Sequence, residues 1–283
     1  MKSRIVLLIS KLDIMKLKIL SLAILMSVSG YSCSFSGNGK NVFSDILPNS
    51  GNGKMIEKSY NYEFDELEIS TGLTAEVYKS DKEKIVVNAP EDLMQYVVVK
   101  QSGGKVTVKI ESHFMKNIST DNIKVKVYAR DFDKLTANSS GNIMLKDRFS
   151  NPNVDIKVSS SGSIKGNLSG DEINVSASSS GDFDGEINAQ KSAFQISSSG
   201  GIRAKGKVGN LSVQASSSGD VNAENLTAEN ATLSTSSSAD ITVGVSNSVT
   251  ASASSSGDIR IIKKGLLNNV VKNESSSGTV TIR

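Results

Sequence analysis

Between Ala177 and Val221 the chain reads ASSSGDFDGEINAQKSAFQISSSGGIRAKGKVGNLSVQASSSGDV, with SSSG three times at nearly equal intervals. A flexible Ser/Gly linker has no reason to keep such an interval, whereas a repeat architecture sets the same corner at a fixed structural period. The corner recurs as NSSG from Asn138 and as SSSG from Ser159, Ser178, Ser197, Ser216, Ser254 and Ser275; one further copy, SSSA from Ser236, ends in Ala239. The last residues of the corners, Gly141, Gly162, Gly181, Gly200, Gly219, Ala239, Gly257 and Gly278, fall 21, 19, 19, 19, 20, 18 and 21 apart.

The flanks decide what the repeat builds. Two residues beyond each corner stand Ile143, Ile164, Phe183, Ile202, Val221, Ile241, Ile259 and Val280. Six residues before its last residue stand Leu135, Ile156, Val175, Phe194, Val213, Leu233 and Ala251, and only Lys272 breaks that series. Polar residues alternate with these, the signature of strands with one face in and one face out. A unit of about 19 residues cannot bury its own apolar face, but stacked units can. The expected fold is therefore all-β: a parallel β-helix with rungs about 4.8 Å apart. The drift from 18 to 21 residues favours a right-handed solenoid over the strict 18-residue left-handed form. Continuing the alternation through the corner points its middle serine inward (Ser160, Ser179, Ser198, Ser217, Ser237, Ser255), as a stacked hydroxyl ladder. Glycine is then expected to supply the positive φ of the bend.

Residues 15–33, MKLKILSLAILMSVSGYSC, have a short basic segment, an apolar run from Ile19 to Val28 and then small residues. This pattern is a secretory signal peptide, expected over residues 1–32. Cys33, the only cysteine, stands where cleavage would fall and is the expected lipidation site, resembling a bacterial lipobox with Gly30 where Leu is usual. Residues 33–55, rich in Gly, Asn and Ser, are expected to form a flexible tether. Their two GNGK copies lack the spacing and the Ser/Thr of a phosphate loop. Residues 56–134 are strand-rich without the tidy period and hold most of the aromatics, which suggests a bulky cap and irregular first rungs before the repeats of 135–283.

The series YEFDELEISTGLTAEVYKSDKEKIVV, then VYARDFDKLTANSSGNI, then SSSGDI-type units resembles the auto-transporter adhesin family that carries a head GIN domain, over about Ser59 to Arg283. That family's corner is more often Gly-Ser-Gly, so the serine-rich corner departs from it. The resemblance implies a secreted, often lipid-anchored bacterial protein with a β-helical fold and an adhesive role. It carries no catalytic residue over.

Five of the 32 basic residues and one of the 29 acidic ones lie in residues 1–32, so the remainder carries a net charge of −1. A near-neutral chain gives no electrostatic basis for binding nucleic acid. Asp182, Asp220, Asp240 and Asp258 directly follow their corners, and the last three occupy successive rungs. Stacked carboxylates repel unless solvated or metal-bound, which makes Asp220, Asp240 and Asp258 weak calcium candidates beside the plainer reading of solvated turn residues. Two carboxylates two rungs apart also suit a polysaccharide-active enzyme of the inverting kind. The missing aromatic platforms beyond Phe194 argue against it. His113, the lone histidine, has no partner in sequence for a metal site or triad. The expected function is a non-catalytic, lipid-anchored envelope protein that binds a surface glycan or protein, with no cofactor and no catalytic residue. A structural spacer is the alternative, and self-association is left open.

Overall fold

The two-residue alternation becomes strands that pair with their equivalents one repeat away. The structure, a computed structural model, describes residues 51–111 and 118–283. The signal peptide, Cys33 and His113 lie outside the described residues. In chain order the elements begin with β1 (Met55–Tyr60), β2 (Glu66–Ile69), β3 (Thr74–Lys79), β4 (Lys84–Pro90) and the one-turn helix α1 (Glu91–Met94). There follow β5 (Val97–Ser102), β6 (Lys105–Ile110), β7 (Lys124–Ala129), β8 (Lys134–Ala137), β9 (Asn142–Ser150) and β10 (Asn153–Val158). The long strands are β11 (Ser163–Ala177), β12 (Asp182–Ile196), β13 (Gly201–Ala215), β14 (Asp220–Thr235) and β15 (Asp240–Ala253). The last three are β16 (Asp258–Lys263), β17 (Asn269–Glu274) and β18 (Thr279–Ile282).

From β8 onward every rung pairs in parallel with its neighbours, with Ile156 opposite both Leu135 and Val175, and Phe183 opposite both Ile164 and Ile202. The core columns read from the sequence are buried: Ile143, Ile164, Phe183, Ile202, Val221, Ile241, Ile259 and Val280 lie inside. Within β11 the buried residues are Ile164, Leu168, Ile173, Val175 and Ala177. The steps of four and five in that series interrupt the alternation, so each rung bends twice more between corners and has three sides.

The earlier rungs do not stack in chain order. β2 and β3 lie between β6 and β7 on one side and β8 and β9 on the other, all parallel. The chain therefore makes a middle rung first, turns back to lay down the rung before it, then passes over to the rung after it. The cap is antiparallel: β4 pairs with β1 and β7, and β5 pairs with β6. Phe132 joins Phe64 and Phe149 in the core at centroid distances of 6.1 and 5.1 Å. Of the expected tether, Asn52 and Gly53 donate their backbone N–H groups to the Asp92 carboxylate at 3.2 Å, so residues 52–53 are held on α1.

The corners are built differently from the expectation. In all eight, the second and third residues take φ of 47–66°, and both are serine every time. The fourth residue's N–H closes the turn onto the first residue's carbonyl at 2.8–3.3 Å. Two successive left-handed residues with this bond make a type I′ turn. The middle serines do not form an inward ladder, because the left-handed pair turns both side chains outward; Ser160, Ser179, Ser198, Ser217, Ser237 and Ser255 are exposed. The glycine does not supply the positive φ either. It is the buried residue, pressed on the rung before: a Cβ at Gly181 would stand 2.6 Å from the carbonyl carbon and oxygen of Val158. Ala239 fits the same position where the turn bond stretches to 3.3 Å, the longest of the eight. A ninth corner, Ser70-Thr71-Gly72-Leu73, precedes the others, with Thr71 and Gly72 at φ 55° and 72°.

Each left-handed serine costs about 1–2 kcal/mol. A turn bond and one bond to the next rung return about 0.5–1.5 kcal/mol each. The corner is thus close to neutral, and the flanking core decides the balance, since one buried Ile or Phe contributes about 1.5–3 kcal/mol. Substitutions should invert the usual intuition about glycine. Gly181→Ala is expected to destabilise by about 1–3 kcal/mol through overpacking. Ser180→Gly, which removes a strained side chain at the cost of chain entropy, should stay within about 1 kcal/mol of the parent in chemical denaturation. The opposite ranking would contradict this corner geometry.

Candidate functional site

Ion pairing is segregated along the stack. Every ion pair among the described residues falls at or before Glu186, including Lys105–Glu68, Lys134–Glu66, Lys146–Glu76 and Arg148–Glu186. The side of the rung that leads into each corner shows the change most clearly. Its outward column runs Glu68, Thr136, Lys157, then Ser176, Gln195, Gln214, Ser234, Ser252 and Asn273. The next column runs Glu66, Lys134, Asp155, then Asn174, Ala193, Ser212, Thr232, Thr250 and Val271. From Asn174 and Ser176 onward, neither column carries a charge.

A groove of about 490 Å³ runs along this neutral side, beside the serine corners. Its walls present Ser176, Gln195, Gln214 and Ser234 on one flank and the first corner serines Ser178, Ser197, Ser216 and Ser236 on the other. The two glutamines are exposed and the corner serines half-buried. Strand alternation puts the first group outward, and the type I′ turn raises the ridge that makes the second flank. Hydroxyls and amides both donate and accept, so the groove can bond an uncharged polar ligand from either side. The sequence reading treated these serines as corner structure and missed the groove; the signal was the absence of charge in two columns once the strands are aligned.

Further columns are structural. Asn230, Asn247 and Asn268 each donate a side-chain N–H to the asparagine one rung earlier, Asn210, Asn230 and Asn247, at 3.2, 3.0 and 2.8 Å. This asparagine ladder runs along one of the two bends between corners, and its 17–21-residue spacing hid it among ordinary polar residues.

The aspartates stack as read: Asp220 lies opposite Asp240, and Asp240 opposite Asp258. All three are exposed, and Asp258 accepts a hydrogen bond from Thr279 Oγ1 at 2.5 Å. Among the described residues, no three His, Cys, Asp or Glu side chains converge as a metal site would require. Partial desolvation beside its neighbouring rungs, and then the Asp240 carboxylate, hold the Asp220 carboxyl above its ordinary range although the residue as a whole is exposed, with the Arg203 guanidinium opposing them. An acid raised in the folded state penalises folding when it is ionised. The penalty is absent below the unfolded value near 3.9 and complete once pH exceeds the folded value. Asp220→Asn is thus expected to raise the thermal midpoint at pH 7 by less than about 4 °C, with the gain gone by about pH 3. A gain that persists unchanged at acid pH would assign it to something other than this carboxylate.

Residues 63–265 match the family described as "Putative auto-transporter adhesin, head GIN domain". No curated protein matches the chain. A crystal structure named as a putative lipid binding protein from Parabacteroides distasonis superposes with a TM-score of 0.75 at 21% identity, covering 83% of this chain and 98% of that one. A putative adhesin from Parabacteroides merdae gives 0.68 at 18% identity, over 83% and 98%. One from Bacteroides fragilis gives 0.60 at 17%, over 82% and 98%. At these identities the likeness establishes the fold. Among the described residues no helix is long and apolar enough to cross a membrane. With its stacked parallel rungs and a match that spans most of its length, the chain belongs to the auto-transporter adhesin family with a head GIN domain.

Proposed function

We propose that the protein is a non-catalytic binding solenoid of the bacterial cell envelope, tethered through lipid on Cys33, that holds an uncharged, hydroxyl-rich ligand such as a neutral glycan chain along the Ser/Gln groove. The observation that carries this reading is the run of charge-free columns beside the groove, on a chain whose ion pairs fall in earlier rungs or on other sides of the same rung. An acidic polymer would find no cation on either flank, and an acyl chain would find hydroxyls and amides. None of the exposed large apolar residues Met55, Met144, Leu266, Val270 and Val271 lines the groove.

Phe183 and Phe194 are buried and no aromatic follows them, so these rungs offer no exposed ring for a sugar face to stack on. Each contact is then a modest hydrogen bond, worth about 0.5–1.5 kcal/mol. Useful affinity comes from repetition of the same contacts along one polymer, which suits adhesion better than catalysis. The paired carboxylates that an enzyme would need, Asp220 and Asp258, stand on a different exposed column with Asp240 between them.

Binding to neutral and acidic polysaccharides, compared between the parent chain and Gln195→Ala/Gln214→Ala, tests the groove. Neutral polymers should bind, and the double substitution should weaken them at least about tenfold, a loss of about 1.4 kcal/mol. Binding confined to acidic polymers, or unchanged by the substitutions, would overturn the assignment. The anchor is tested separately: Cys33→Ser should release the chain from the membrane fraction, and unchanged detergent-phase partitioning would refute lipidation.

A further inference from the structure

The last strand pair departs from the repeat at the two positions where departure costs most. In β17 the residues aligned with the inward Ala251 and Ala253 of β15 are Lys272 and Glu274. Both alanines are buried, whereas both charged residues are exposed. They turn onto β18. Lys272 Nζ donates to the carbonyl of Val280 at 3.0 Å, and the Val280 N–H donates to Glu274 Oε1 at 2.6 Å.

Val280 lies opposite Ile259 in the parallel ladder. Thr279 next to it sends its N–H back into the stack, to Gly257 at 3.1 Å. By the alternation of a parallel ladder, the N–H and C=O of Val280 face away from the stack, toward the place of a further rung. These are the groups that an added strand would bond, and the two side chains occupy both. We propose that Lys272 and Glu274 form a stop that closes this end of the solenoid against strand addition by a second copy of this chain.

A sheet end with free backbone groups is a template for pairing, and inward-pointing charge is an effective way to block it. Adding a rung would bury an ammonium and a carboxylate where the preceding rung holds Ala251 and Ala253, and would strip both from Val280. The occupant excluded is a second copy because the two ends of the stack are unlike. At the other end β4 and β5 run antiparallel over β7 and β6, leaving no parallel rung to continue. A two-fold axis through the corner Ser275–Gly278 makes two such ends self-complementary, with β17 of each copy antiparallel against β18 of the other.

The test uses the whole chain carrying Cys33→Ser, so that lipid does not drive association. Lys272→Val with Glu274→Ala restores the residue types of the rungs above. Sedimentation across a wide concentration range should show the parent at monomer mass and this variant doubling its mass as concentration rises. A second variant, Lys272→Val with Glu274→Pro, keeps the apolar end but removes the outward N–H of residue 274, and should stay monomeric. Circular dichroism reports that each variant is folded; if the double substitution is not, Lys272→Val alone carries the same test. A monomeric Lys272→Val/Glu274→Ala chain would overturn the proposal. So would equal association of the proline variant, or a parent that doubles its mass and loses this on Glu274→Pro.

Discussion

At the seven corners that end in glycine the chain comes closer to the preceding rung than a Cβ permits. A Cβ at Gly162 would stand 2.5 Å from the Ala137 oxygen, and one at Gly278 would stand 2.5 Å from the Ala253 carbonyl carbon. The rest of the stack depends on this approach, because parallel strands about 4.8 Å apart leave no slack where the backbone turns sharply. A left-handed pair just before the glycine brings the chain round in four residues. The third residue's N–H then reaches the second residue's carbonyl in the next rung, as from Ser161 to Ser179 at 3.0 Å. The ladder is therefore not interrupted at its tightest point. Serine suits the exposed pair because its hydroxyl is solvated on the ridge.

Function follows from the same regularity. A ridge of corners beside a flat side makes a groove that repeats its chemistry at every rung. The carboxyl groups with displaced pKa values among the described residues follow their pairings. Against its own desolvation, Glu68 is lowered by Lys105 and Asn138, and Glu76 is lowered by Lys146 and Tyr78 in contact with it. Glu186 is lowered by Arg148, and Asp220 is raised by partial desolvation and its neighbour. The ends of the stack have separate solutions. One is covered by antiparallel strands and a helical turn, and the other is closed by two charged side chains folded over the last backbone groups.

Much of this architecture was legible because its determinants are local and periodic. Ile202 and Phe194 declare their face by alternation alone, and Lys272 announced a break in a core column. The corner's interior was not legible. Glycine is the residue expected at positive φ, and only the approach of another rung, nineteen residues away in the case of Gly181 and Gly162, shows that it is needed for its missing Cβ. The corner at Ser70–Leu73 escaped notice because β2 and β3 are followed in the chain by the rung that precedes them in space, which destroys the period. The groove could not be read from one repeat, because Gln195 and Gln214 become neighbours only once the register is set.

The central claim is that the serine corner is a hydrogen-bonded element of the stack, and amide hydrogen exchange resolved by residue tests it most directly. In the corner Ser178-Ser179-Ser180-Gly181, the N–H of Ser178 donates to Val158, that of Ser180 to Ser198 and that of Gly181 to Ser178. The account predicts slow exchange at Ser178, Ser180 and Gly181, approaching that of the strand amides, with Ser179 alone exchanging fast. The same one-in-four pattern should repeat at Ser198 and Ser217. Uniformly fast exchange through SSSG would contradict the account, and so would protection of the middle serine in place of its neighbours.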